Sequence, residues 1–186
     1  ESFEHIRGLV EATKRAFLLR DKHVTDPVFA GDVSIHLSER VLAREAAAID
    51  MRRAAPWPQV AEKGDTVWMG AVDSEGLAVS YIQSIFFEFG SGCVLPATGV
   101  TWQNRGSSFH LDPAARNPLE PGRKPFHTLN PALARFKDGR VMPYGTMGGE
   151  GQPQTQAAVF TRHALFGMDL AEAIAAPRWL LGRTWG

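Results

Sequence analysis

The sequence predicts a layered α/β (α+β) domain, because stretches of helical, strand and again helical periodicity follow one another along the 186 residues. The strands in the middle are joined by short turns, and short turns connect antiparallel neighbours, so we expect a mainly antiparallel sheet. A chain of this length can bury one sizeable core, and we expect one structural domain.

Two helices are expected in the first third of the chain. Apolar residues recur at helical spacing over 3–22, and Ser2 is a candidate N-cap. A second helix should begin after Ser38 and continue to Ile49, before the prolines of 54–58 break it. The polar stretch from there to about Asp65 is expected to be an exposed loop.

From Thr66 onward the apolar period becomes that of strands. We expect a first hairpin, two further strands and then a long, proline-rich loop. In chain order these are 67–73 paired with 77–86, then 93–95, 100–103 and the loop 110–126.

The last third should contain a second hairpin and two helices. Strands 133–136 and 140–144 flank an Asp-Gly turn, which is a strong hairpin signal. A helix is expected over 153–166, with a proline in its first turn and a glycine just after its end. Asp169 should cap a short final helix that Pro177 ends.

Composition excludes several classes of function. Lysine plus arginine and aspartate plus glutamate both number 20, so no net charge favours nucleic acid or an anionic membrane. No apolar run approaches the ~18 residues that a membrane helix needs. The single cysteine, Cys93, excludes an internal disulfide. The histidines show no metal-ligand spacing and no phosphate loop is present, so we expect neither metal nor cofactor.

Thr66 stands at the head of the first predicted strand, directly after Asp65. By itself, a threonine there is explained by its preference for strands. A catalytic role would need a free α-amino group to accept the proton of the weakly nucleophilic hydroxyl. Cleavage of the Asp65–Thr66 peptide bond would create that amine on the same residue.

Several ordered motifs resemble the gamma-glutamyltranspeptidase family, whose members cleave themselves before such a threonine. They are Lys14-Arg15-Ala16-Phe17 with Asp26-Pro27, Phe89-Gly90-Ser91-Gly92, Lys124-Pro125-Phe126-His127-Thr128-Leu129-Asn130-Pro131, Gly145-Thr146-Met147-Gly148-Gly149 and Ala171-Glu172-Ala173-Ile174-Ala175-Ala176-Pro177-Arg178. The resemblance implies part of an αββα sandwich of the N-terminal nucleophile hydrolases. It implies that this zymogen fragment joins the end of a large (α) subunit, 1–65, to the start of a small (β) subunit, 66–186.

The same resemblance implies a catalytic set. Thr66 would be the nucleophile, with Asp65–Thr66 as the cleavage site. Ser84 falls where the family has a threonine that hydrogen-bonds the nucleophile, although it can also be read as an exposed strand serine. Gly148 and Gly149 match the pair whose backbone N–H groups bind the oxyanion, although two glycines alone usually indicate a turn.

The substrate-binding positions depart from the family pattern. Where gamma-glutamyl-specific members hold the substrate's amino group with asparagine, glutamine and aspartate, this chain has Phe86, Arg105 and Ser108. A guanidinium repels an ammonium group but grips a carboxylate with two N–H donors. His127 and Thr128 replace a serine pair that binds the α-carboxylate. Thr128 keeps a hydroxyl, and His127 is as readily structural as catalytic.

These features resemble a branch of the family that includes an oxamate amidohydrolase and cephalosporin acylases. We therefore expect an amidohydrolase, with acyltransferase activity as an option, that cleaves a small carboxylate-bearing amide through an acyl-enzyme. Open alternatives are a gamma-glutamyl transferase or hydrolase of glutathione-type substrates, a cephalosporin acylase, and an inactive remnant or binding module.

The expected partners are a small-molecule amide, the remainder of the large subunit and the C-terminal part of the small subunit. A heterodimer or a dimer of heterodimers is implied after processing. The expected compartment is the cytoplasm, with the periplasm as an alternative.

Overall fold

A computed structural model describes residues 2–57 and 65–182, and the described residues contain five α-helices and four strands. In chain order they are α1 (Phe3–His23), α2 (Pro27–Ala30), α3 (Glu39–Ala47), β1 (Asp65–Val72), β2 (Ala78–Phe86), β3 (Ala132–Arg135), β4 (Val141–Tyr144), α4 (Gly151–Phe160) and α5 (Leu170–Ala175). Short 3-10 turns span Val33–Leu37 and Arg105–Ser108, and a π-helical turn spans Thr161–Leu165.

The chain packs as two compact units. The first unit combines residues 1–58 with 105–127, and the second combines 59–104 with 128–186. Each unit therefore contains residues from both sides of the proposed cleavage site. The expected division into subunits at Asp65–Thr66 and the expectation of one structural domain stay predictions.

The first unit is built on α1. Ser2 caps it as expected, because its side chain accepts the His5 N–H at 3.3 Å. Phe17 of α1 and Val41 of α3 are buried in its core. Helix α3 ends at Ala47, two residues before the predicted end and well before the prolines. The Asp50 carboxylate accepts the N–H groups of the second and third residues after it, and this turn replaces the helical pattern.

The second unit contains both predicted hairpins. Strands β1 and β2 pair antiparallel, and so do β3 and β4. The prediction of strands at 93–95 and 100–103 is wrong, because only an isolated bridge between Val94 and Thr101 forms there. Pro96 lacks an N–H for ladder pairing, and Gly99 turns with φ +71°, so the segment closes as a tight loop.

The helix predicted over 153–166 is present but changes its winding. The α-helical part is α4, and the π-helical turn continues it. Asp169 caps α5 as expected by accepting the N–H groups of Ala171 at 2.9 Å and Glu172 at 3.3 Å. Buried Arg162 of the π-helical turn donates to the Pro177 carbonyl at 2.6 Å, which fixes the chain after α5.

The loop expected before Asp65 falls largely on residues 58–64, which lie outside the described residues. Strand β1 begins directly afterwards, at Asp65. Within 2–57 and 65–182, no helix combines the length and apolar character that crossing a membrane requires.

Candidate active site

The pairing of β1 with β2 places Thr66 directly opposite Ser84. Both residues are half-buried, and the Thr66 Oγ1 hydroxyl donates to Ser84 Oγ at 3.0 Å. The hydrogen bond that the sequence led us to expect is therefore present. The catalytic roles of the two residues stay predictions.

An irregularity in the β1–β2 ladder lies at the proposed cleavage site. Asp65 pairs with Phe86 while Thr66 pairs with Ser84, so Ile85 is the extra residue of a β-bulge. Phe86 has φ +80°, a left-handed conformation that is strained for a bulky residue. Its side chain is buried, and its N–H donates to Ser84 Oγ at 2.9 Å. Ser84 Oγ thus accepts hydrogen bonds from both the Thr66 hydroxyl and the bulge.

The two glycines of the proposed oxyanion hole form the turn that leads into α4. Gly148 has φ +108° and Gly149 has φ +53°, so glycine suits both positions. Their carbonyl oxygens accept the N–H groups of Gly151 at 2.8 Å and Gln152 at 3.2 Å, and these bonds join the turn to the first residues of α4. The positive end of the helix dipole therefore lies beside the glycine pair.

Trp68 lies on the same face of β1 as Thr66, since side chains alternate along a strand. Its Nε1 donates to Ser80 Oγ at 2.9 Å, and it lines a cavity of about 360 Å³ together with residues of β4, α4 and α5. Gly145 packs so closely against the indole ring that a Cβ there would collide with it. Trp68 thereby fixes the start of the segment that carries the glycine pair.

Thr128 belongs to a network of side-chain amides that sequence analysis missed. Asn130 Nδ2 donates to the Thr128 carbonyl at 2.8 Å. Gln156 Nε2 donates to the Asn130 carbonyl at 2.9 Å, and Gln152 Oε1 accepts the Asn130 N–H at 3.3 Å. The glutamines at 152 and 156 could have indicated this network, because positions four apart share one helix face.

Three of the predicted substrate-binding residues lie in the first unit. Arg105 and Ser108 begin and end a single 3-10 turn, and Ser108 Oγ donates to the Arg105 carbonyl at 2.8 Å. The Arg105 side chain is buried, with 3% of the residue exposed. Partial desolvation of the His127 ring and the positive charge of Arg105 hold the pKa of that histidine below its usual value.

A buried polar cluster ties the 105–127 segment to the end of α1. Thr25 Oγ1 donates to Asn117 Oδ1 at 3.0 Å, and Asn117 Nδ2 donates to the Ser108 carbonyl at 3.1 Å. Asp26 accepts the Lys124 N–H at 2.7 Å, and this bond is the main reason that the pKa of Asp26 is lowered. Asp26 therefore anchors the end of the 105–127 segment, which carries Arg105.

The predicted residues thus divide between the units. Thr66, Ser84, Phe86, Thr128, Gly148 and Gly149 belong to the second unit, and Arg105, Ser108 and His127 belong to the first. Within the part of the chain that the structure describes, no three His, Cys, Asp or Glu side chains are grouped so as to hold a metal ion.

Comparison with known proteins connects this geometry to one family. The family model described as Gamma-glutamyltranspeptidase matches residues 1–186. An oxamate amidohydrolase proenzyme from Klebsiella pneumoniae subsp. pneumoniae is 61% identical over 182 residues, which cover 97% of this chain and 34% of that protein. A glutathione hydrolase-like proenzyme, YwrD, from Bacillus subtilis is 45% identical over 185 residues, which cover 100% of this chain and 35% of that protein.

A solved structure gives the same result for the fold. The cephalosporin acylase from Bacillus halodurans superposes with a TM-score of 0.77 at 37% identity, covering 92% of this chain and 31% of that chain. The chain therefore spans about a third of the length of the curated relatives named above.

Proposed function

This chain belongs to the gamma-glutamyltranspeptidase family, and on that premise we propose that it carries the nucleophile of a self-cleaving amidohydrolase. The observation that carries the proposal is the hydrogen bond of Thr66 Oγ1 to Ser84, at a β-bulge beside the Asp65–Thr66 bond. The substrate is a small amide that bears a carboxylate, and its hydrolysis proceeds through an acyl-enzyme.

The first step of the proposed mechanism is processing of the chain. Thr66 Oγ attacks the main-chain carbonyl carbon of Asp65, the peptide C–N bond breaks, and the hydroxyl proton passes to the departing nitrogen. The main-chain carbonyl of Asp65 is then esterified to the threonine. Water hydrolyses this ester and leaves a free carboxylate on Asp65 and a free amine on Thr66. Strain at Phe86, whose N–H holds Ser84 in place, supports the bulge as a site prepared for this reaction.

In turnover, the Thr66 amine accepts the proton of its own hydroxyl while Oγ attacks the substrate amide. The N–H groups of Gly148 and Gly149 stabilise the oxyanion, and one such donor is typically worth ~3 kcal/mol in the transition state. Ammonia or an amine leaves with the proton, and water then releases the acid from Thr66. The helix dipole beside the glycine turn supports this assignment.

Specificity for a carboxylate is proposed from the chemistry of the residues that differ from the family pattern. Arg105 would supply the guanidinium that grips the carboxylate. Phe86 and Ser108 offer no charge for an ammonium group. Thr128 would contribute a hydroxyl, and His127 carries no negative charge that could pair with an ammonium group. The relative named oxamate amidohydrolase supports this proposal, because oxamate is a small amide that bears a carboxylate.

The proposed partners follow from the length of the relatives. In the full-length protein, the remainder of the large subunit and the C-terminal part of the small subunit would complete the fold. Large apolar side chains in the first unit, such as Val28 at 82% exposed and Leu37 at 74%, support a covering partner there. After cleavage we propose a heterodimer or a dimer of heterodimers in the cytoplasm.

Intact mass spectrometry of the full-length protein tests the proposal. Wild type should give two masses that meet at the Asp65–Thr66 bond. Thr66→Ala should stay uncleaved and inactive, while Thr66→Ser, which keeps a hydroxyl, should still cleave. Turnover of a small carboxylate-bearing amide by Thr66→Ala would refute Thr66 as the nucleophile.

Two observations favour alternative substrates. The glutathione hydrolase-like relative supports gamma-glutamyl chemistry, and the structural neighbour supports a cephalosporin acylase. Turnover of a gamma-glutamyl anilide at the rate of a small carboxylate-bearing amide would favour the first. A folded, uncleaved wild-type protein without any turnover would favour an inactive remnant or binding module.

A further inference from the structure

Gln152 is a buried polar side chain with one unpaired end. It lies in the first turn of α4 and is 0% exposed. Its Oε1 accepts the Asn130 N–H at 3.3 Å, whereas its Nε2 has no hydrogen-bond partner among the described residues. A buried donor without a partner costs stability, and this cost offsets much of what the bond from the Asn130 N–H contributes. Stability alone therefore does not explain a glutamine at this position.

The position of Gln152 offers another explanation, because it touches two parts of the proposed site. Its backbone N–H donates to the Gly149 carbonyl at 3.2 Å. Its side chain holds the backbone of Asn130, and Asn130 Nδ2 in turn holds the Thr128 carbonyl at 2.8 Å. One residue thus connects the glycine turn with the segment that carries Thr128.

A second glutamine, Gln156, also holds Asn130 in place. Gln156 lies one turn further along α4, on the same face as Gln152. Its Nε2 donates to the Asn130 carbonyl at 2.9 Å and to Asn130 Oδ1 at 2.6 Å. Asn130 is therefore held by two side chains of one helix, and its distance from the glycine turn is fixed by that helix.

We infer that Gln152 is a positioning residue for substrates in which the carboxylate lies next to the scissile amide. This inference rests on the proposed function, in which Thr128 contacts the carboxylate and the glycine pair binds the oxyanion. When a single C–C bond separates the two groups, the substrate has no freedom to adapt to a displaced anchor. A neutral amide does not use the Thr128 anchor and should tolerate the displacement.

Gln152→Met in the full-length protein tests this role, and Gln154→Met is the matched control. Gln154 is also buried on α4, but its Nε2 donates to the Glu150 carbonyl at 3.0 Å and its Oε1 accepts the Leu181 N–H at 2.7 Å. We expect Gln152→Met to change Tm little, because the lost acceptor of the Asn130 N–H and the removed unpaired Nε2 donor offset one another. The ratio of kcat/KM for oxamate to that for a neutral amide, acetamide, should fall at least tenfold. Gln154→Met should lower Tm and leave that ratio unchanged.

Gln152→Glu adds a readout that a purely structural role would not move. A buried glutamic acid has a raised pKa, and its protonated form resembles the glutamine amide. Its ionised form still accepts the Asn130 N–H but adds a negative charge next to the segment that carries Thr128, where the substrate carboxylate is proposed to bind. The oxamate-to-acetamide ratio, divided by the wild-type ratio at each pH, should therefore recover as pH falls.

The outcomes separate the two proposals. A ratio in Gln152→Met that equals the wild-type ratio would overturn this inference alone, provided that wild type hydrolyses oxamate. Wild-type protein that hydrolyses neither amide would overturn the inference together with the proposed function.

Discussion

Replacing Ser84 with alanine removes the one oxygen that the nucleophile and the bulge share. In the structure, Ser84 Oγ accepts from Thr66 Oγ1 at 3.0 Å and from the Phe86 N–H at 2.9 Å. Ser84→Ala deletes both hydrogen bonds and leaves the backbone donor of a buried, strained residue without this acceptor. The substitution should therefore affect both stability and the reactivity of Thr66.

The effect on stability comes from two lost hydrogen bonds, and the effect on reactivity comes from the orientation of Thr66. The Thr66 hydroxyl is half-buried and can turn to water, so its lost bond should cost ~1 kcal/mol in the free energy of unfolding. The lost bond from the Phe86 N–H should add ~1 kcal/mol. A nucleophile that is no longer oriented should slow cleavage and turnover about 100-fold, which corresponds to ~2.7 kcal/mol in the barrier.

The assay follows cleavage at Asp65–Thr66 by intact mass over time, together with denaturant unfolding and turnover, in the full-length protein. Ser84→Thr keeps the hydroxyl and should restore cleavage. Ser80→Ala is the matched control on the same strand, because it removes the acceptor of Trp68 Nε1 without touching Thr66. It should cost a similar ~1–3 kcal/mol of stability and leave the cleavage rate within about twofold.

Two results would refute the reasoning. One is Ser84→Ala protein that cleaves itself and turns over substrate at wild-type rates. The other is a loss of cleavage rate in Ser80→Ala as large as that in Ser84→Ala, which would show that the loss is not specific to the bond between Ser84 and Thr66.

Three further substitutions in the full-length protein test Gly148, Arg105 and His127. Gly148→Ala should reduce turnover at least tenfold, because φ +108° strains any side chain even though a Cβ there meets no atom within 4 Å. Gly139→Ala, at φ +91° with equally open space, should carry a similar backbone cost and keep full activity. Arg105→Lys should lower the preference for a carboxylate-bearing over a neutral amide about tenfold by kcat/KM, whereas an unchanged preference would remove Arg105 from the site. The pKa of His127 is lower in the folded than in the unfolded protein, so as pH falls the unfolded chain takes up this proton at a higher pH than the folded chain does. Wild-type stability should therefore decline as pH falls below ~6.5. The decline should be shallower in His127→Gln when unfolding is measured from pH 7 to 5, and parallel curves would contradict the assignment.

Much of the fold could be predicted because local physics decides it. The Asp-Gly turn predicts the β3–β4 hairpin, and Ser2 and Asp169 cap the helices that they were expected to cap. The pairing of Thr66 with Ser84 also follows from the two strands once they are read as a hairpin. These features depend on residues within about twenty positions of one another, so a sequence pattern can reveal them.

The prediction of strands at 93–95 and 100–103 was wrong for a local reason, because strand propensity did not outweigh Pro96 and Gly99 between them. Other features depend on residues that are distant in sequence. The bonds of Thr25 to Asn117 and of Asp26 to Lys124, which shape the Arg105 segment, span more than ninety residues each. The amide network of Asn130 and Gln152 depends likewise on the packing of α4 against another segment.

The sequence alone therefore determined the family and the proposed nucleophile, because ordered motifs and a threonine after Asp65 are properties of the chain itself. It also determined the hairpins and helix caps, since each arises from neighbouring residues. Only the tertiary structure placed the strained bulge at the proposed cleavage site and divided the predicted binding residues between two units. It alone revealed that Gln152 Nε2 is a buried donor without a partner among the described residues, because burial and hydrogen bonding are decided by which segments pack together.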